Sequence, residues 1–300
     1  MKKRVEMIAK FHNEFEEFVG NGNPVDVMPW FRYLVSWRVN KFQQLLSKFY
    51  TIQDEQVHYH MQTFSRDVIR DVTDAMLATD TEDKPSNERF ELPQSRLNNI
   101  LVDLLGAGVN TTHRTLMWML LYMLAYPDIQ KRVQQEIDEV VPDRSVTLKD
   151  KKNLTFTEAV YLEVNRIVSH LPFSVPHYTI MDAKIGEFDI DKGTVVILNL
   201  HSVHHDKKYW GNPEISRPDR FLSNDLELDQ NKCAHVIPFG MGRRRCVGET
   251  MAKMNIFLSF AIIMQRLEFL KPPGEQLDLT PIPGLIYRPR DYRVLVKERM

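Results

Sequence analysis

One cysteine sets the terms for this chain. Cys246 closes a Gly- and Arg-rich stretch, Pro238-Phe239-Gly240-Met241-Gly242-Arg243-Arg244-Arg245-Cys246-Val247-Gly248-Glu249, and an apolar, helix-like run from Glu249 to Leu267 follows it. The thiolate is the form of cysteine that ligates metal, and a place just before a helix N-terminus and among arginines favours that form. Backbone N–H groups of such a turn can donate to a metal-bound sulfur and tune the metal. Gly242 and Gly248 let the backbone approach a flat ligand where a Cβ would collide. Arg244, two residues before the cysteine, can reach an anionic edge of that ligand. The plain alternative is an inert, buried cysteine in a basic surface loop.

Size and charge narrow the choice of function. Three hundred residues make one large domain or two ordinary ones. With 39 basic against 40 acidic residues the chain is near neutral, which argues against a nucleic-acid binder. Cys233 and Cys246 are its two cysteines; they give no disulfide framework and fit a reducing compartment. Met1-Lys2-Lys3-Arg4 leads into a charged amphipathic segment, so no signal peptide is expected. Leu116–Leu121 and Ile256–Met264 are too short to span a bilayer and read as buried helix. No Gly-rich phosphate loop is present, so any redox chemistry must draw its electrons from a partner.

The hydrophobic pattern along the chain is mostly helical. Val5, Ile8, Phe11, Phe15 and Phe18 fall at helical spacing, and Gly20–Pro24 stops that helix. Val25–Trp37 is apolar and aromatic, and 39–77 reads as helix interrupted by polar stretches. Thr79–Gln94 reads as an exposed charged loop. Ser95 can cap a helix over 96–126 that is nearly apolar all round and so expected to be buried. Gly106 and Gly108 within it cost about 1 kcal/mol each relative to alanine. Either a ligand or an opened turn meets the backbone there, or small residues allow close helix packing.

Pro127 opens the next helix, 128–141, with Ile129, Val133, Ile137 and Val140 as its buried stripe. Pro142–Lys152 reads as a charged loop. Thr155-Phe156-Thr157-Glu158 has the form of a capping box for a helix over 156–168. Glu163 and Arg166 share one face of it. Short strands are expected at 178–180, 185–190 and 194–200, with turns at 182–184 and 191–193. His201, His204 and His205 with Asp206 form a His-rich patch; the chain offers no second cluster with zinc-like spacing. Ser223–His235 reads as a polar meander, and prolines punctuate a strand-and-turn tail after the last helix.

Phe239-x-x-Gly242-x-Arg244-x-Cys246-x-Gly248 resembles the haem-binding loop of the cytochromes P450, the haem-thiolate monooxygenases. The resemblance covers essentially the whole chain, but only the C-terminal part of such a protein. It implies one domain over 1–300 lacking its N-terminal portion, mainly α with a small mixed β-sheet. The early Trp-x-x-x-Arg motif has no counterpart, since neither Trp30 nor Trp37 has an arginine four residues on.

Other segments resemble the same family. Leu105–Thr112 is similar to its oxygen-activating groove, with Ala107, Gly108 and Thr111 in register and Thr111 assisting protonation. Asn110 stands where the family has an acid, and an amide cannot ionise. This implies weaker or leakier proton delivery. Arg217-Pro218-Asp219-Arg220-Phe221 resembles a family segment whose arginine joins the Glu-x-x-Arg pair. That implies a structural Glu163–Arg166–Arg220 cluster supporting the Cys246 loop.

Cys246 would then be the axial ligand of haem b. Phe239, Gly240 and Gly248 would belong to the cofactor loop, and Arg244 and His177 would meet the propionates. Pro172–Val175 and the Ile282–Ile286 tip would line a substrate cavity. The 25–37 segment would join two helices over that cavity, packing on the core or touching the bilayer.

The wording of 239–250 and 185–192 resembles the animal microsomal branch, in particular family-one xenobiotic-oxidising enzymes and steroid 17-alpha-hydroxylases. The implied activity is hydroxylation of a lipophilic xenobiotic, steroid or fatty acid with O2. Electrons would come from an NADPH-dependent flavoprotein reductase, attracted to a basic face of Arg243, Arg244, Arg245, Lys131 and Arg132. The implied location is the cytosolic face of the endoplasmic reticulum membrane. The rivals are a haem-thiolate isomerase or dehydratase, and a truncated non-catalytic remnant.

Overall fold

The computed structural model describes Phe11, residues 14–15, 28–79 and 94–299. The chain divides into two compact units, Met1–Asn110 and Thr111–Met300. The 2–19 helix and the 79–94 loop expected from the sequence fall largely outside the described residues.

In the first unit, a short 3-10 helix Pro29–Tyr33 leads into α1, Ser36–Thr63, and α2 follows at Val72–Ala78. The helical region expected over 39–77 is interrupted between these two helices, and Asp71 caps α2 by accepting from the backbone N–H groups of Thr73 (2.9 Å) and Asp74 (3.2 Å). Asp74 is fully buried and accepts from Arg70 Nε at 2.6 Å and Nη2 at 2.8 Å. Its Oδ1 also lies 2.8 Å from His60 Nδ1. The arginine holds the Asp74 carboxyl far below the usual carboxylate range, with burial opposing it. His60, Asp71 and Asp74 converge as metal ligands could, but Arg70 already supplies the cation.

Helix α3, Gln94–Ala125, crosses from one unit to the other. It is unbroken through Gly106 and Gly108, so the helix is not opened there. Among the described residues, a Cβ on either glycine would meet nothing within 4 Å, so close packing does not require them. The helix is also less buried than its composition suggests, since Ala107, Val109 and His113 are exposed.

The second unit is built on α3's C-terminal half, α4 (Pro127–Val140), α5 (Thr155–Val168) and α6 (Glu249–Arg266). Its core gathers Trp118, Met119 and Met123 from α3, Val133 and Ile137 from α4, and Val160 and Val164 from α5. Ile256, Phe257, Phe260 and Met264 complete it from α6. On α4 the buried stripe is wider than its apolar residues, because Gln130 and Gln134 are buried too. Gln130 acts as a length of backbone: its amide donates to Phe269 O at 2.9 Å and its Oε1 accepts from Phe269 N at 2.8 Å. Gln134 donates to Leu267 O at 3.1 Å. These bonds seat the strand that follows α6 against α4.

Among the described residues the strands form three two-stranded antiparallel ladders rather than one mixed sheet. β1 (His177–Tyr178) pairs with β4 (Val195–Val196), β2 (Ala183–Ile185) with β3 (Phe188–Ile190), and β5 (Leu267–Leu270) with β6 (Leu295–Glu298). The single strand expected at 185–190 is a hairpin turning at Gly186, whose φ of +61° suits glycine. The strand expected at 194–200 stops at Val196, because Asn199 caps a helical turn over Leu200–His204. A further helical turn, Gln230–Ala234, interrupts the polar meander.

Two helix starts differ from the sequence reading. The capping box lies at Thr147 and Asp150, opening a 3-10 helix at Leu148–Asn153 inside the expected loop. α5 starts after Leu154, whose side chain cannot cap. Glu136 of α4 does so instead, accepting from the N–H groups of Phe156 (2.7 Å) and Thr157 (2.8 Å) and from Thr157 Oγ1 (2.7 Å). Glu136→Ala is expected to cost about 1–2 kcal/mol, the price of a lost cap. An unchanged urea midpoint would show that water replaces the carboxylate.

Candidate functional site

The Cys246 loop hangs between two anchors. Its first anchor is Ile237, whose N–H donates to His204 Nε2 at 3.0 Å. Its second is α6. Between them Gly240 (φ +73°) and Gly242 (φ +70°) turn the chain, and Gly242–Arg244 forms a 3-10 turn. The Cys246 N–H closes the loop on Phe239 O at 2.8 Å. The thiol is exposed, three residues before the helix it precedes begins its regular course. A Cβ on Gly248 would sit 3.8 Å from the Cys246 Sγ, so glycine keeps the space beside the sulfur clear. Arg243, Arg244 and Arg245 are all exposed around it. Phe239 is half-buried, with Lys253 Nζ 5.5 Å from its ring centroid and 2.7 Å from Glu249 Oε1.

Behind the loop lies a buried ionic cluster. Glu163 and Arg166 are fully buried and Arg220 is nearly so. Glu163 Oε2 accepts from Arg166 Nε at 2.8 Å, and Oε1 accepts from Arg166 Nη2 (2.9 Å), Arg220 Nε (3.0 Å) and the Arg217 N–H (2.8 Å). The remaining guanidinium donors reach backbone carbonyls: Arg166 to His204 and Pro213, Arg220 to Trp210, Asn212 and Ile215. Burial pulls the Arg220 guanidinium below its ordinary value, with Glu163 opposing.

His204 connects the cluster to the loop. Arg166 holds its carbonyl, Ser169 Oγ lies 3.0 Å from its Nδ1, and its Nε2 takes the Ile237 N–H. Burial pushes its pKa down to about 4, with His205, Arg166 and His201 adding to the effect. The neutral ring is therefore the form that accepts from Ile237. Both ring nitrogens are committed within the fold, so the His-rich patch has a structural use for its buried member. His201 and His205 stack on each other at 3.9 Å. The sequence flagged the patch but not this link, whose partner Ile237 lies 33 residues away.

The other site residues are placed as follows. His177 is half-buried on β1, opposite Val196. Thr111 is half-buried, and its carbonyl accepts from Thr115 Oγ1 at 3.0 Å. In the first unit Ala107 is exposed, Gly108 half-buried and Asn110 buried. Arg132 pairs with Asp219 at 2.7 Å and lies 3.7 Å over the Phe156 ring, so part of its charge is already matched. Cys233 is half-buried, and burial raises its thiol pKa, in keeping with an inert role.

A helical protein with small antiparallel ladders, carrying an exposed cysteine on a glycine-turned loop ahead of a long helix, has the build of a haem-thiolate protein. The chain belongs to the cytochrome P450 family, whose sequence pattern matches residues 1–296. It is 39% identical over 280 residues to cytochrome P450 1A1 of Homo sapiens, covering 93% of this chain and 55% of that protein. It is 38% identical over 280 residues to cytochrome P450 1A1 of Rattus norvegicus and 41% over 282 residues to that of Platichthys flesus. These cover 93% of this chain in both cases, and 53% and 54% of the relatives. The chain thus spans about half the length of the curated relatives it matches. Among the described residues, no helix is long and apolar enough to cross a membrane.

Proposed function

We propose that this chain is the oxygen-activating and cofactor-holding part of a haem-thiolate monooxygenase that hydroxylates a lipophilic substrate. The observation that carries the reading is the exposed Cys246 thiol, held on a loop whose root is wired through His204 to a buried ionic cluster. The donor set fits haem b: one accessible sulfur, a glycine beside it that keeps its flank open, and exposed cations next to it. When bound, haem supplies the O2-activating redox chemistry. Cys246 would hold the haem iron through its sulfur. Arg244 and His177 neutralise its carboxylates, and Phe239, Gly240 and Gly248 shape the loop around it.

Ala107, Gly108, Asn110 and Thr111 take part in oxygen activation in this reading. Thr111 holds a proton on its hydroxyl, and Asn110 orients water without ionising. Phe173 and Val175, both exposed apolar residues in the 172–175 segment, contact substrate. An NADPH-dependent flavoprotein reductase supplies electrons to the Arg243–Arg245 face. The wording of 239–250 and 185–192 supports a lipophilic xenobiotic, steroid or fatty acid as substrate, and the cytosolic face of the endoplasmic reticulum membrane as location. The Glu163–Arg166–Arg220 cluster acts as the structural support of the loop, and the two units work as one domain.

The test is the spectrum of the reduced, carbon-monoxide-bound protein with Cys246→Ser beside the parent. The parent is expected to show the thiolate-ligated Soret band. The serine variant is expected to keep its helical circular dichroism, since the thiol packs into no core, and to lose that band entirely. A parent that takes up haem without a thiolate signature, or a serine variant that keeps it, would overturn the assignment.

A further inference from the structure

His170 is a buried polar side chain that the fold leaves without a use. It is 8% exposed, and neither ring nitrogen has a hydrogen-bond partner among the described residues. Buried polar groups are nearly always satisfied by protein or water, so such a ring asks for a water or a reacting partner. Its backbone is fixed. The His170 carbonyl accepts from the Tyr287 N–H at 2.8 Å, and the Tyr287 carbonyl accepts from the Trp118 indole N–H at 3.0 Å.

Trp118 lies on α3, and Arg114, one turn earlier, is close enough for its charge to act on the ring. Burial, with Arg114 adding to it, holds His170 neutral down to about pH 4. One turn before Arg114 comes Thr111. Residues 111, 114 and 118 share one helix face, and two of them, Arg114 and Trp118, are linked to His170, by charge and through Tyr287. On its other side His170 stands two residues before Pro172, at the start of the segment assigned above to substrate. A neutral imidazole has one nitrogen that donates and one that accepts, so a proton can enter at one and leave by the other. Asn110, next to Thr111, has no such capacity.

We propose that His170 is a proton-relay residue of the oxidation site, its ring joined to the Thr111 hydroxyl through ordered water. This rests on the haem-thiolate reading. The reaction served is RH + O2 + 2 electrons + 2 protons giving ROH + H2O. The electrons come from NADPH through the flavoprotein. Each proton is taken from water by one ring nitrogen while the other nitrogen gives its own towards Thr111, and a half-turn of the ring restores the tautomer.

The experiment compares the haem-loaded parent with His170→Phe, which is apolar, and His170→Gln, which can hold water but cannot relay a proton. Pyrene serves as probe substrate, driven either by reductase and NADPH or by cumene hydroperoxide, which needs no proton delivery to reduced oxygen. Both variants are expected to show the thiolate band. Product formed per NADPH consumed should fall about tenfold, the lost electrons appearing as hydrogen peroxide. Hydroperoxide-supported oxidation should stay within about twofold of the parent. Adding Asn110→Asp to His170→Phe should recover much of the coupling. Unchanged coupling in both variants, coupling retained by glutamine alone, or equal loss of both activities would overturn the relay. Absence of the thiolate band from the parent would instead overturn the reading beneath it.

Discussion

Lowering the pH from 7 to 4 is expected to remove about 6 kcal/mol of stability from the Thr111–Met300 unit, well before its paired carboxylates titrate. Two buried histidines cause this. His204 is held down to about 4 by burial first, then by His205, Arg166 and His201. His170 is held down to about 4 by burial first, then by Arg114. In the unfolded chain each returns to about 6.5. Above that value both states are neutral and the stability is fully present. Between about 6.5 and 4 the unfolded chain binds protons that the native fold refuses, so stability falls with pH. The difference amounts to about 3 kcal/mol for each ring by pH 4, against a typical total of about 5–15 kcal/mol.

His201 and His205, also pushed down by burial, add in the same direction. Asp150 differs. Arg144 beside it, at 2.6 Å, holds its carboxyl below the usual range, so its loss begins only below the ordinary carboxylate value of about 4. Urea unfolding at a series of pH values would show the window. His170→Phe should flatten the fall by about half. A stability that is level from pH 6.5 to 4.5 would mean that both rings take up protons as readily in the fold as in the unfolded chain.

How much of this could be read beforehand depended on the range of the interaction. α4, α5 and α6 were placed within a residue or two, α4 by its apolar stripe, α5 by a start pattern and α6 by its apolar run. Local rules misjudged the joints. Thr155–Glu158 has the letters of a capping box, yet Glu136, twenty residues earlier, takes the position, and no local pattern reveals a donor or acceptor from another helix. The strand at 194–200 was cut short by Asn199, whose capping tendency competed with a β-rich composition and won. Gln130 is absent from the apolar stripe of its helix, and the partner that buries it, Phe269, lies 139 positions away. At the site, Cys246 was legible because its chemistry needs a fixed local spacing. His204 and His170 were not, since what distinguishes each is the company it keeps after folding.

Glu163→Gln is expected to destabilise the second unit by about 3–5 kcal/mol at neutral pH, more than any other single substitution considered above. The change is nearly isosteric, so the effect is electrostatic. One carboxylate with no exposure faces two guanidinium groups, and it accepts four hydrogen bonds from Arg166, Arg220 and the Arg217 N–H. An amide removes the only negative charge in the contact and turns an N–H2 donor towards groups that can only donate. Arg166 then stays buried as an uncompensated cation, and a cation cannot escape by losing its proton, because a guanidinium keeps it.

The damage should spread along the connection already traced: Arg166 releases the His204 carbonyl, and His204 loosens its hold on the Ile237 N–H at the root of the Cys246 loop. Trypsin offers a local readout, since Arg243, Arg244 and Arg245 are exposed in that loop. Cleavage there should accelerate in Glu163→Gln under conditions where the helical signal is still native. A variant within about 1 kcal/mol of the parent, cut at the parent's rate, would show that the guanidinium groups are satisfied by their backbone carbonyls alone. The cluster would then be a passenger of the fold rather than the anchor of the cysteine.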